Sequence, residues 1–143
     1  MSNFDVEDLQ EVTAVAPEVE GPAACATNQV YYAASERGAE FALRPWMRER
    51  GMPTMAYSPL DQGTLAKDAT LAAIGAPQGL SAAQIALAWV LAQPGTVAIP
   101  KAADARHLRD NWAATGVDLD AETLRRIDAA FPPPRRRAPL AVI

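Results

Sequence analysis

Tyr57 and Ser58 close a short apolar run, Thr54-Met55-Ala56-Tyr57, that follows a helix-stopping Gly51 and Pro53. A flat aromatic ring beside a hydroxyl at the C-terminal mouth of a buried strand is how α/β proteins commonly hold ligands, so Pro53 to Leu60 reads as one wall of a cofactor site. Polar groups fall at two further strand ends. Gln29 sits near the end of the run 26–30, where a polar side chain pointing into a parallel sheet needs a partner. Lys101 follows Val97-Ala98-Ile99-Pro100, and His107, the only histidine, falls in the first turn of the next helix. Each has a plain structural alternative: a glutamine satisfied by neighbouring backbone, a solvated loop lysine, an exposed helix residue, a tyrosine packed in the core. Their joint fall at matching strand ends favours a site.

The elements that must position these residues can be read in order. Phe4-Asp5 opens a helix to about Val15, with Glu7 and Asp8 in its first turn and Phe4 placed to staple onto Leu9. Residues 16–24, with two prolines and a glycine, read as a loop. A strand over 26–30 puts Thr27 and Gln29 on one face. A helix follows over about Glu40–Arg50, with Gly51 as its stop, and then the strand 54–57. The two strands start about 30 residues apart, the length of a βαβ unit. Beyond a loop with a weak helix around 68–74, Ser81-Ala82-Ala83-Gln84 is a capping box for a helix to Ala92. Val97-Ala98-Ile99 is expected as a third buried strand. Asp104 caps a helix to about Ala114, and Asp120 caps another to about Ala130, where Leu124, Ile127 and Phe131 keep the helical period. Such alternation predicts an α/β fold with parallel strands joined by right-handed crossovers.

Bulk properties narrow the function classes. With 143 residues and half of them hydrophobic, the chain is long enough to bury roughly 70% of its unfolded surface. A net charge of -4 argues against a broad cationic face, so nucleic acid is not an expected partner. The cluster Arg135 to Arg137 reads as a solvated tail. The single cysteine, Cys25, has no disulfide or metal partner at useful spacing, and no apolar run reaches 18 residues. No metal site, export or membrane insertion is expected, and a cytoplasmic protein is.

Four strings in order then carry a resemblance. S-N-F at 2–4, A-T-N-Q-V-Y-Y at 26–32, M-A-Y-S-P-L at 55–60, and I-P-K at 99–101 with H-L-R-D-N at 107–111 look like the C-terminal half of an aldo-keto reductase of the bacterial NADPH-dependent type. The resemblance implies a (β/α)8 barrel, which takes about 250 residues. Here it implies only the sixth to eighth strands with their helices, Ser2-Asn3 being the end of the fifth. It further implies an NADPH site: Ser2, Asn3 and Gln29 on the nicotinamide carboxamide, Tyr57 stacked on the nicotinamide ring, and Ser58 and Leu60 along the pyrophosphate. Lys101 would meet the 2′-phosphate, His107 would lie beside the adenine, and Asn111 would bond its edge. An amide ligand needs donors and acceptors together, which Asn and Gln side chains supply. Asp61 would bring an anion near the pyrophosphate, which is unfavourable unless it faces water.

The same resemblance puts the family's catalytic tetrad on the first four strands. No catalytic residue is therefore expected in this chain, and reduction of a small-molecule carbonyl would need an N-terminal half. Met1 stands where many relatives carry valine, which suggests an internal GTG start or a disrupted reading frame. Three strands would leave two open edges, so aggregation or self-association through the open barrel is expected. Other readings are a non-catalytic nucleotide-binding or regulatory module and a decayed gene product.

Overall fold

The computed structural model describes residues 1–15 and 25–143; the loop expected over 16–24 lies outside them. The order is α1 (Val6–Val15), β1 (Asn28–Tyr31), α2 (Leu43–Glu49), β2 (Thr54–Tyr57), α3 (Ala69–Gly75), α4 (Ala82–Ala92), β3 (Thr96–Ala98), α5 (Ala105–Ala113) and α6 (Ala121–Ala130), with short 3-10 turns between. The strands form one parallel sheet in the order β1-β2-β3. Register pairs Gln29 with Met55 and Met55 with Val97, and Tyr31 with Tyr57. The chain start joins this sheet: Ser2 bridges Gln29 in parallel, with the Asn3 N–H donating to the Gln29 carbonyl at 2.8 Å and the Gln29 N–H to the Met1 carbonyl at 2.9 Å. Met1–Asn3 thus runs parallel to β1 at the sheet's edge, joined to it by this one bridge.

Local signals in the sequence explain most boundaries. Ser81 accepts from the Gln84 N–H at 3.2 Å while the Gln84 side chain accepts from the Ser81 N–H at 2.9 Å, closing the capping box of α4. Asp68, Asp104 and Asp120 accept from the N–H groups of Leu71, His107 and Thr123, which satisfies donors that no helical carbonyl can reach. The helix expected over 40–50 is split. A 3-10 turn over Gly38–Glu40 precedes α2, and Pro45 lies within the first turn of α2, where its missing N–H costs nothing. Gly51 then takes φ 66°, the left-handed stop.

One sheet face is buried; on the other Tyr31 is buried against Tyr57, while Gln29 and Met55 are half-buried and Val97 is exposed. Asn28, Val30, Thr54 and Ala56 are buried, and the core beneath them includes Met47, Ile85, Trp89 and Val90. Trp89 packs at a tilt on Tyr32 with ring centroids 5.6 Å apart, and the Arg37 guanidinium lies 4.9 Å from the Trp89 ring. Arg37 also pairs with Glu40 and Asp128 and donates to the Phe131 carbonyl, tying α6 to this core. The third strand differs from its expectation. It runs Thr96–Ala98, and Val97 and the following Ile99 are 49% and 38% exposed, because the apolar pattern that predicts burial says nothing of whether a neighbour covers that face. The basic tail is not wholly solvated either: Arg137 pairs with Asp5 and Glu7 beside the start of α1. No single helix among the described residues is long and apolar enough to cross a membrane.

Trp89 carries the largest fully buried side chain. Trp89→Ala is expected to cost about 3 to 5 kcal/mol, read as a lower midpoint in urea denaturation.

Candidate functional site

The parallel register brings the C-terminal ends of the strands to one side, and a cleft of about 810 Å³ opens there. Its walls are the turn after β2 (Ser58, Pro59, Leu60, Gln62, Gly63), the segment after β3 (Ile99, Pro100, Lys101) and the first two turns of α5 (Arg106, His107, Asp110, Asn111), with Ser81 and Ala83 at the start of α4. Five expected residues therefore meet in one space: Ser58, Leu60, Lys101, His107 and Asn111. The volume lies in the range of small-molecule and cofactor sites, about 300 to 1,000 Å³.

Ser2, Asn3, Gln29 and Tyr57 do not line that cleft; Tyr57 ends β2, whereas Gln29, expected at a strand end, is the second residue of β1, which runs on to Tyr31. Ser2 Oγ is 3.5 Å from Gln29 Oε1, the outer limit of a hydrogen bond, so the two side chains are neighbours more than partners. Asn3 has φ 57°, which turns the chain sharply out of the sheet. The Tyr57 ring stacks on Tyr31 with centroids 5.8 Å apart and planes 18° from parallel. Its hydroxyl is buried with no hydrogen-bond partner.

The turn after β2 is unusual in its backbone. Ser58, Asp61 and Gln62 all have φ near +50°, a region that costs side-chain-bearing residues of order 1 to 3 kcal/mol each and is held only where the surroundings dictate it. Asp61, expected as an anion beside a pyrophosphate, turns away from the cleft. Its carboxylate accepts from the Tyr31 hydroxyl and, at 3.1 Å, from Ser35 Oγ.

Charge in the cleft comes chiefly from Lys101 and Arg106, with Asp110 on the same wall. Arg106 is a residue that sequence reasoning passes over. Its side chain lies 3.2 Å from His107 Nε2, and the available signal was its place in the first turn of a helix opening beside Lys101. Asn28 is another. It is buried and brackets the Phe4 backbone, donating at 2.7 Å and accepting at 3.4 Å, which fixes the exit of the Met1–Asn3 segment. Tyr31 and Tyr32 are poor proton donors to a substrate. Burial first, then the hydrogen bond to Asp61, pushes the Tyr31 phenol well above its usual range. Burial likewise raises Tyr32, whose hydroxyl donates to Glu40 at 2.6 Å.

Two outcomes follow from this geometry. Tyr57→Phe removes an unsatisfied buried hydroxyl and keeps the stack, so urea unfolding should show stability unchanged or raised by about 1 kcal/mol. The Asp104 carboxyl is held below its usual range, chiefly by the His107 N–H. The cap's contribution is therefore present above the unfolded aspartate pKa and is lost as pH falls through the lowered folded value. Hydrogen exchange at the His107 amide, corrected for intrinsic rates, should stay flat from about pH 7 to 5 and accelerate only below the usual aspartate range.

Comparison with known proteins adds the family. The sequence profile described as the Aldo/keto reductase family matches residues 1–131. The methylglyoxal reductase YeaE of Escherichia coli (strain K12) is 40% identical, the match covering 100% of this chain and 51% of that protein. The glyoxal reductase of Bacillus subtilis (strain 168) is 33% identical over 90% of this chain and 44% of its own. Among solved structures, an aldo-keto reductase from Klebsiella pneumoniae in complex with NADPH superposes with a TM-score of 0.89 at 39% identity, over 99% of this chain and 50% of that one. The chain thus spans about half the length of such relatives, and it belongs to the aldo/keto reductase family.

Proposed function

We propose that the chain is the cofactor-binding, C-terminal part of an NADPH-dependent aldo-keto reductase and that it reduces a carbonyl compound only when an N-terminal half is supplied. The observation that carries this reading is the gathering of Ser58, Leu60, Lys101, His107 and Asn111 around one cleft at the strand ends. In this reading the Met1–Asn3 segment, β1, β2 and β3 are the fifth to eighth strands of a (β/α)8 barrel, whose sites lie at this end. Their one open face, with Val97 and Ile99 exposed, is where side chains filling a barrel would be met.

The residues fit a dinucleotide. Lys101 and Arg106 offer cations to phosphate groups, and Lys101 selects for a 2′-phosphate. His107 and Asn111 flank the adenine, and Ser58 and Leu60 line the pyrophosphate. Ser2, Asn3 and Gln29 present both donors and acceptors to a carboxamide, and Tyr57 is the platform for the nicotinamide ring. When bound, NADPH supplies a hydride to the carbonyl carbon. The proton for the carbonyl oxygen needs a positioned general acid. We assign no residue of this chain to that task, since both tyrosines nearest the strand ends after β1 are engaged and raised. The two relatives named for methylglyoxal and glyoxal put small α-oxoaldehydes first among substrates to try. We place the protein in the cytoplasm, a reducing setting that suits its buried free thiol, Cys25. A second reading, a nucleotide-binding module without reduction, rests on the same cleft.

NADPH fluorescence titration separates these readings. Binding by the chain, with methylglyoxal reduction appearing only on addition of the N-terminal half of a relative, supports the enzyme. Binding with no restored reduction supports the module, and no binding points to a decayed product. Reduction restored by a relative's C-terminal half instead would overturn the assignment of this chain. Lys101→Met should weaken NADPH about five- to tenfold and NADH far less.

Alone, the chain is further proposed to self-associate through its open sheet face and edge. Sedimentation velocity should show dimers or larger species, and Val97→Lys, a charge on that edge, should shift them toward monomer. A monomeric wild-type chain at tens of micromolar would remove this proposal.

A further inference from the structure

The turn after β2 supplies one wall of the cleft in a backbone conformation that its own residues disfavour: Ser58, Asp61 and Gln62 all sit near φ +50°. Hydrogen bonds within the turn close it locally, from Asp61 N–H to the Ser58 carbonyl at 2.8 Å, Gly63 N–H to Leu60 at 2.9 Å, Thr64 N–H to Asp61 at 2.9 Å and Leu65 N–H to Leu60 at 3.2 Å. They do not anchor it to the sheet. The side chain that does so is Asp61, whose two oxygens are taken by separate hydroxyls, Tyr31 Oη from the end of β1 and Ser35 Oγ from the segment beyond it. Tyr31 is itself buried and stacked on Tyr57, its register partner. Sheet, stack and turn are therefore joined through one carboxylate.

We propose that Tyr31 and Ser35 are positioning residues for the cofactor cleft: by gripping Asp61 they hold the 58–63 turn in the left-handed form that presents Ser58, Leu60 and Gln62 to a bound dinucleotide. This rests on the reading of the cleft as a nucleotide site. Neither residue lines the cleft, so the effect is indirect. The grip also accounts for an aspartate beside a proposed pyrophosphate site. Its charge is spent on two hydroxyls facing away from the cleft, and aspartate is among the few side-chain-bearing residues that tolerate the left-handed region.

The test compares the wild-type chain with Tyr31→Phe and Asp61→Asn by hydrogen exchange and NADPH titration. A hydrogen bond to a carboxylate is strong enough that losing it should raise exchange about tenfold at the Asp61, Gly63, Thr64 and Leu65 amides in Tyr31→Phe, with the β1 and β2 ladder amides unchanged. NADPH affinity should fall by a similar factor. Asp61→Asn keeps an acceptor for the phenol and tolerates the same backbone, so it should retain most of the wild-type protection; exchange there as fast as in Tyr31→Phe would overturn the grip as a hydrogen bond to the phenol. Turn exchange within twofold of wild type in Tyr31→Phe overturns the grip, whether or not NADPH binds. Faster exchange with unchanged NADPH affinity overturns its link to the cleft. A wild-type chain that binds no NADPH overturns the nucleotide reading instead, and the exchange result still decides the grip.

Discussion

Parallel pairing is the constraint on which the rest of this structure depends. Because Met1–Asn3, β1, β2 and β3 run the same way, with Ser2 against Gln29, Gln29 against Met55 and Met55 against Val97, every strand delivers its C-terminal residue to the same side. Ser2-Asn3, Tyr31, Tyr57-Ser58 and Lys101 are far apart in the chain and come to the same end of the sheet for that reason. A one-residue slip in β2 would reverse its alternation, turning Tyr57 away from Tyr31 and burying Met55 in place of Ala56. The cleft is thus a property of the ladder before it is a property of any one side chain.

The same pairing carries a cost that these residues do not offset among themselves. Parallel sheets are ordinarily covered on both faces. Here the helices cover the face of Val30 and Ala56, while Val97 and Ile99 on the other remain substantially exposed, as do Leu108 and Trp112 on α5. The core that exists is dense, built on Trp89, Tyr32, Met47 and Ile127, all essentially inaccessible. Apolar surface is left open beside that core.

The sequence made the skeleton legible wherever a local rule acts alone. The capping box at Ser81, the aspartate caps at 104 and 120 and the strand Thr54–Tyr57 all lie where side-chain chemistry places them. What could not be read depended on neighbours distant in sequence. Val97 and Ile99 have the pattern of a buried strand, but burial needs a covering element. Asp61 looked like an anion at a phosphate site, and only the fold brings Tyr31 and Ser35 to it. That Ser58, Leu60, Lys101, His107 and Asn111 would be neighbours was legible from ordered strings because the parallel order brings those segments together. Arg106 was passed over, since its one signal, a first-turn place in the helix beside Lys101, does not show that its side chain faces the cleft. Residues 16–24 lie outside the described structure.

The central claim is that the strand-end cleft takes a dinucleotide along Ser58, Leu60, Lys101, His107 and Asn111. The most direct measurement is a residue-resolved NMR titration of the isotope-labelled chain with NADP. The account predicts saturable shifts at the amides of 58–63 and 101–111, accompanied by Gln29 and Tyr57, with little change in α3 or α6. Saturable shifts confined to other surfaces, or none at millimolar NADP, would contradict it.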